Sequence, residues 1–514
     1  MSINQTHMQG SFKNVLLLLV SQIIAQARNV LQHLNDYITY CEKEKIGQSQ
    51  RAILFTYNQL KSTLLLLKDI QNTLEHERCN TKTLMQAEIE IRVAIQSIAA
   101  LHLYLSWRSP VYSQAILPQF FNLYDQETKR VLYERWSHKE VNRIETQLLK
   151  VFGLSNEQFS CTVVNSGMAA ICLVESFLIR NLLKPGDSIL LSPHIYFESN
   201  DLLKSLNWLN VIEAESYDYK YLIDTIENNN IKAVFINTLT NTSEQRMVDI
   251  EFLLDHFKKH KNCPAFVIDG TMLPCAINLS YIASFKKKEN VFYIESCSKY
   301  LQLGLDMSIA GVLVYDAKLK TKFNTLRRYM GLILTEHNSH LFPVYKQKQL
   351  MNRISRIESN AGKIAYDLSI DPEIMQIYEV IYPGLNTHPD YLLAKRIKRY
   401  GGCVVFKFKI TEDTDLAKKP QILIDIIINN AKLYKIPIAY GLSFGFSFPR
   451  ICLEINAVPT EDKRMRNVYF LRLYVGDQGS LNAAIIKLLK ISFKQHAVEF
   501  CQNKEEEVVH GEQG

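Results

Sequence analysis

Apolar residues in the first hundred positions recur at helical spacing. Val20, Ile23, Ile24, Ala27, Val30, Leu31 and Leu34 form one stripe, Leu60, Leu64 and Leu67 a second, and Ile89, Ile91, Ala94, Ile95 and Ile98 a third. Residues 1–105 contain no proline, and their only glycines are Gly10 and Gly47. The pattern predicts three or four long helices, an all-α N-terminal extension that forms a bundle or packs on the main body. The run Val15–Val20 is too short to span a bilayer and lacks a small-residue cleavage pattern, so it reads as part of a buried helix. No grouping of acids, histidines or cysteines here suggests chemistry, and an accessory or oligomerisation role is expected.

Near residue 106 the pattern changes. Pro110 and Pro118 interrupt it, and short apolar runs then alternate with helical stretches. A helix is predicted from Glu140 to Phe152. Strands are predicted at 159–164, 188–191, 211–213, 232–237, 265–268, 291–294 and 309–314, with helices at 168–182, 202–206 and 250–260 between them. Alternation of this kind predicts an open, mostly parallel α/β sheet covered on both faces, filling a large domain over 106–345. A long helix at 344–368 leads to a smaller α+β domain over 346–500. Its strands are expected near 403–408 and 471–475, and its helices near 421–431 and 480–492. The polar end, 501–514, with Lys504-Glu-Glu-Glu507, is predicted to be disordered.

Composition adds little to this picture. The 514 residues are 47% hydrophobic and 22% charged, and the formal net charge of +7 is spread along the chain. Lys286-Lys-Lys288, the longest basic run, reads as a solvated loop, and no nucleic-acid motif stands out. The ten cysteines include no CxxC pair. They read as reduced thiols of a cytoplasmic protein, without a disulfide frame or a metal site.

The chemistry lies at strand ends. Tyr293-Ile-Glu-Ser-Cys-Ser-Lys-Tyr300 is a short apolar run ending in Ser296, Ser298 and Lys299, and Ala265–Ile268 ends in Asp269. Asn165-Ser-Gly167 lies between a strand and a helix, where Gly167 and the helix amides could hold an anion. Tyr196 and Asn241 follow two further strands. Ligands of open α/β sheets sit beyond such carboxyl ends. Pyridoxal phosphate (PLP) needs these residue types: a lysine amine for an imine link, a carboxylate for the ring nitrogen, and hydroxyls and amides for the phosphate. Tyr196 could stack on the ring, and Asn241 could bond its hydroxyl.

The order of motifs resembles the Cys/Met-metabolism (trans-sulfuration) family of PLP enzymes. That family has fold type I, the fold of aspartate aminotransferase. Tyr133-Glu-Arg135, Ser166-Gly-Met-Ala-Ala170, Thr240-Asn241, Val248-Asp-Ile250, Val267-Ile-Asp-Gly-Thr271, Ser296-Cys-Ser-Lys-Tyr300, Tyr382-Pro-Gly-Leu385, Gly401-Gly402 and Leu471-Arg-Leu-Tyr-Val-Gly476 fall in the family's order. The resemblance implies that Lys299 and Tyr196 are catalytic. It also implies that Gly167, Met168, Tyr196, Asn241, Asp269, Ser296, Ser298 and Lys299 bind the cofactor. Tyr133 and Arg135 would reach the phosphate of a neighbouring subunit, and Arg472 would clamp the substrate carboxylate. It implies a homodimer or homotetramer acting on an amino acid by elimination or replacement at Cβ or Cγ, as in cystathionine synthesis or cleavage. Transamination, a natural-product γ-replacement, or a catalytically weak binding or scaffold homologue are the alternatives.

Some positions depart from the family pattern. Thr242 stands for a proline, and Gly270 for an asparagine. Phe197-Glu-Ser199 replaces small residues. The Ser-Leu-Gly-Gly loop is met only loosely by Gly441-Leu-Ser-Phe444, so either Gly441 or Ser443 takes the serine's place. Tyr440 falls where the family varies with reaction. Substrate choice is expected to lie at Phe197, Glu198 and Tyr440.

Overall fold

The computed structural model describes residues 2–43, 50–76, 79–106, 124–125, 130–131, 135–260, 262–277, 279, 288–409, 418–459 and 465–511. Tyr133 lies outside them. The chain begins with helices α1 (Ser2–Lys43), α2 (Gln50–His76) and α3 (Thr81–Ser106), then a short pair β1 (Tyr124–Asp125) and β2 (Arg130–Val131). Next come α4 (Lys139–Val151), β3 (Phe159–Val164), α5 (Gly167–Asn181), β4 (Ser188–Leu191), α6 (Phe197–Lys204), β5 (Asn210–Glu213), α7 (Tyr219–Asn228), β6 (Ala233–Asn237), α8 (Ile250–Phe257), β7 (Ala265–Asp269) and β8 (Val291–Ser296). β9 (Gly311–Asp316), α9 (Lys320–Met330), α10 (Glu336–His340), α11 (Gln347–Ser369) and α12 (Pro372–Ile377) follow. The last part holds β10 (Tyr378–Ile381), α13 (Tyr391–Ile397), β11 (Cys403–Phe408), α14 (Lys418–Leu433), β12 (Ala439–Tyr440), β13 (Arg450–Pro459), β14 (Met465–Tyr474) and α15 (Asn482–Gly511). α15 carries the backbone of 501–511 as helix, where composition predicts disorder.

Two compact units interleave in sequence. One comprises Met1–Asn181, Ile294–Ser298 and Leu305–Leu350, and the other Leu182–Tyr293, Lys299–Gly304 and Met351–Gly514.

In the first unit, α1 packs on α2 and α3. Val15, Leu16, Leu19, Val20, Ile23, Ile24, Ala27, Val30 and Leu34 are buried along one helical stripe. Each large aliphatic side chain buried there contributes roughly 1.5–3 kcal/mol. Lys13–Asp36 is long and apolar enough to cross a membrane by length and composition, and 44% of that window is buried in the protein. Gln22 Nε2 donates to the Val344 carbonyl at 2.7 Å, which ties the bundle to the rest of its unit. β3 and β9 pair antiparallel from Phe159↔Asp316 to Val164↔Gly311, and β8 lies beside β9. Behind β3, Glu145 Oε1 accepts from Arg327 Nη1 at 2.5 Å and from the Val163 amide at 3.0 Å.

α5 is mostly apolar but buries Glu175. Burial pushes that carboxyl from the ordinary value of 4.5 up to about 7. The folded state therefore favours the neutral acid. Stability from this preference is fully present below the unfolded pKa and is lost as pH rises through about 7. Glu175→Gln is expected to leave the urea midpoint unchanged near about pH 4 and raise it at about pH 8. An equal effect at both pH values would refute the assignment.

In the second unit, β4, β5, β6 and β7 are parallel, in the order β7-β6-β4-β5. Their apolar runs leave β6 wholly buried. Because the strands are parallel, the segments after β4, β6 and β7 emerge at one end, and Tyr196, Asn241 and Asp269 lie there. A second sheet has the order β10-β11-β14-β13-β12, antiparallel except for β12 with β13. Phe406 and Leu471 of this sheet pack with Ile364, Leu368, Leu488 and Phe493 in one buried cluster. α7, β10 and β13 are elements the hydrophobic pattern does not mark.

Candidate active site

In the first unit, the turn from β3 to α5 carries one group of the candidate residues. Ser166 caps α5: its Oγ accepts from the Ala169 amide at 3.0 Å, and its carbonyl accepts from Ala170. Gly167 and Met168 open the helix, where backbone amides have no acceptor within the helix itself. A Cβ at Gly167 would lie 2.9 Å from Ser296 Cβ and 3.2 Å from Ser296 Oγ, so glycine is what lets this turn approach the end of β8. A Cβ at Gly311 would meet the Ser166 carbonyl oxygen at 2.2 Å, which fixes the same turn from β9. Ser298 Oγ accepts from the Ala310 amide at 3.1 Å and sits 3.4 Å from the Ala310 carbonyl. The result is a cradle of amides and hydroxyls suited to an anion. Arg135 is exposed, with Nη1 3.5 Å from the Arg328 carbonyl.

In the second unit, Lys299 Nζ donates to Ser443 Oγ at 2.5 Å and stands 5.1 Å from the Phe444 ring centroid. Both contacts are electrically neutral. A Cβ at Gly445 (φ +87°) would fall 2.7 Å from the Lys299 carbonyl carbon, so the 443–445 turn lies directly on the lysine's backbone. Of the two residues between which the sequence left that place open, Ser443 is the one bonded to Lys299. Tyr440 is exposed on β12.

Asp269 ends β7. Its Oδ1 accepts from the Thr271 amide at 2.8 Å. Burial pushes its carboxyl above the ordinary range, against the Thr271 bonds that lower it. A cation beside it would relieve that burial cost. A Cβ at Gly270 would lie 2.0 Å from Tyr293 Oη, so Tyr293 fills the space in which the family carries asparagine. Asn241 Oδ1 is buried with no hydrogen-bond partner, an acceptor awaiting a donor. Tyr196 precedes α6, its ring 5.0 Å from that of Phe197. Burial and the Glu198 carboxylate push its phenol up to about 12, with smaller contributions from Asp269 and Glu454.

Arg472 is 2% exposed. Its Nη1 lies 3.2 Å from Tyr474 Oη and 3.3 Å from Glu454 Oε1, and its Nη2 donates to the Asn241 carbonyl. Glu454 is not among the residues marked from sequence, although Leu453, Glu454, Ile455 and Asn456 alternate as a strand does. A signal did exist: a buried arginine on β14 calls for a carboxylate nearby.

Taken unit by unit, these residues suit the parts of PLP. The cradle offers phosphate donors, Asp269 is an enclosed carboxyl that a cation would stabilise, and Asn241 Oδ1 lacks a donor. Strand-end chemistry on a mixed α/β fold with a smaller antiparallel domain defines the class. The profile described as Cys/Met metabolism PLP-dependent enzyme matches residues 106–476, and the chain belongs to that family. PLP is its cofactor. The match begins where α3 ends, so the helical extension lies outside it. The chain is 28% identical over 419 residues to the bifunctional enzyme flvA of Aspergillus flavus, covering 81% of this chain and 49% of that protein. It therefore spans about half of that relative's length. It is 24% identical to an L-methionine γ-lyase of Fusobacterium nucleatum over 68% of this chain and 83% of that one. The fold matches the crystal structure of a cystathionine γ-synthase from Xanthomonas oryzae with a TM-score of 0.55 at 20% identity, covering 72% and 91% of the two chains.

Proposed function

We propose that the chain catalyses elimination or replacement at Cβ or Cγ of a sulfur-containing or O-activated amino acid, as in making or cleaving cystathionine. The observation that carries this reading is Lys299, held by the neutral Ser443 hydroxyl within a chain that belongs to this family. When bound, PLP supplies an electron sink for negative charge developing at the substrate Cα. Lys299 would be the residue that holds the cofactor and would move the proton at the substrate Cα. Asp269 would keep a ring nitrogen protonated, and Asn241 Oδ1 would accept from a cofactor hydroxyl. Gly167, Met168, Ser296 and Ser298 bind the phosphate; for Ser298 this means exchanging its contacts with Ala310. Arg472 binds the substrate carboxylate.

Tyr196, whose phenol is pushed up to about 12 by burial and Glu198, would donate a proton to the leaving group. Phe197, exposed beside it, and Tyr440 border the path of the substrate side chain. The assembly is a homodimer or homotetramer in the cytoplasm, in which Tyr133 and Arg135 serve the phosphate of a neighbouring subunit. Residues 1–105 support that assembly.

The test is the visible absorption of the purified protein, followed by incubation with cystathionine, O-activated homoserines, cysteine and methionine while keto acid, ammonia and thiol are assayed. A cofactor band with thiol or keto-acid release is expected. A protein that takes up no cofactor, or one that only transaminates, would overturn the reading.

A further inference from the structure

Away from the candidate active site, the second unit carries a compact group of metal-ligating side chains. Glu227 lies near the end of α7, His256 in the last turn of α8, and His260 just beyond it. α7 and α8 pack against each other. One ligand atom from each of the three residues lies within 4.8 Å of the others. His256 Nε2 is 2.8 Å from Glu227 Oε1, and His260 Nδ1 is 3.9 Å from the same oxygen. Ligand atoms about a tetrahedral ion bound at 2.0–2.2 Å stand about 3.3 Å apart. The two separations bracket that value.

The placement follows from local structure. Histidines four residues apart fall on one face of a helix, and the turn after α8 keeps the second ring in line, with the His260 amide donating to the Phe257 carbonyl at 3.0 Å. Phe257 is buried, and its ring meets both imidazoles edge-on, at 4.9 Å for His256 and 5.3 Å for His260. The rings are held in place by a core residue, as ligands of a preorganised site are. All three ligands remain open to solvent, with side-chain exposures of 35%, 42% and 46% for His256, His260 and Glu227. An ion can therefore enter, and water can complete its shell.

We propose that Glu227, His256 and His260 bind a divalent transition-metal ion of the zinc type, with water in the fourth position. Two imidazoles and one carboxylate suit zinc, copper or nickel and not calcium or magnesium, which take all-oxygen shells. Neither α7 nor α8 carries a residue assigned above to cofactor or substrate. The ion would brace the ends of the two helices against each other, raising stability by mass action.

The experiment uses the full-length, cofactor-loaded protein after EDTA treatment. Zinc titration by calorimetry is expected to show one equivalent bound and a rise in the thermal midpoint. Cu²⁺ in place of zinc should give an electron-paramagnetic spectrum with nitrogen ligands. His256→Ala, His260→Ala and Glu227→Gln should each weaken binding by at least about tenfold while keeping the wild-type midpoint in EDTA. Zinc should also protect His256 and His260 of the unmutated protein from diethyl pyrocarbonate, a readout that needs no variant. Absence of zinc binding, equal binding by a His256→Ala/His260→Ala protein, or unprotected histidines would each overturn the site.

Discussion

Replacing Lys299 by alanine is expected to abolish turnover while leaving the fold intact. The side chain donates to Ser443 and faces the Phe444 ring, contacts that a truncation removes without opening the hydrophobic core. The proton-transfer role proposed for Lys299 is alone worth about 10²- to 10⁴-fold in rate, and loss of the proposed link to the cofactor would add to that. Two readouts separate this from misfolding. Borohydride reduction of the unmutated protein should leave the cofactor on the peptide that contains Lys299, seen by mass spectrometry. The variant should bind PLP without that linkage and keep the wild-type urea midpoint. Retention of substantial lyase or synthase activity by Lys299→Ala would remove the lysine from the mechanism. Ser443→Ala should have a smaller effect: it loosens the amine without removing it.

Much of the candidate site could be read from local sequence because its parts sit where apolar runs stop. Asp269 follows four buried strand residues, and Lys299 follows β8 by three positions. Gly167 opens α5, and a glycine between strand and helix has few other reasons to be there. What could not be read depends on contacts between distant segments. Which of Gly441 and Ser443 meets Lys299 is decided by how the turn at Gly445 lies on the Lys299 backbone, some 140 residues away in sequence. The glycine at 270 looks like a lapse from the family pattern until Tyr293 is seen filling the asparagine's space. α7 was overlooked because it buries only Leu222 and Ile226 among ten residues, too sparse a stripe to register as a period. β13 carries no continuous apolar run, since Glu454 and Asn456 alternate with Leu453 and Ile455. Its most informative residue is Glu454, whose pairing with Arg472 only the packed sheet shows.

That residue bears on how the substrate is admitted. Arg472 is buried on β14, with Cys452 of β13 and Val405 of β11 opposite it, and its guanidinium already faces the Glu454 carboxylate. A substrate α-carboxylate bound to Arg472 must therefore compete with a carboxylate of the protein. Truncation by Arg472→Ala removes the charge-assisted bonds, a loss of about 2–5 kcal/mol, or roughly 30- to 4,000-fold in kcat/KM. Arg472→Lys keeps the charge but not the planar fork, and should recover only part of it. Glu454→Gln is expected to act in the opposite direction. It keeps the shape and the polar contact but withdraws the competing charge, so KM for the amino acid should fall while kcat holds. Glu454 also helps keep the Tyr196 phenol protonated, so the variant's pH–rate profile should shift slightly to lower pH on its alkaline side. Steady-state kinetics across pH would decide between the two possible roles of the pair. A lower KM in Glu454→Gln makes Glu454 a competitor for the clamp. A higher KM would mean that the carboxylate orients Arg472 for the substrate, and Arg472→Lys should then lose as much activity as Arg472→Ala.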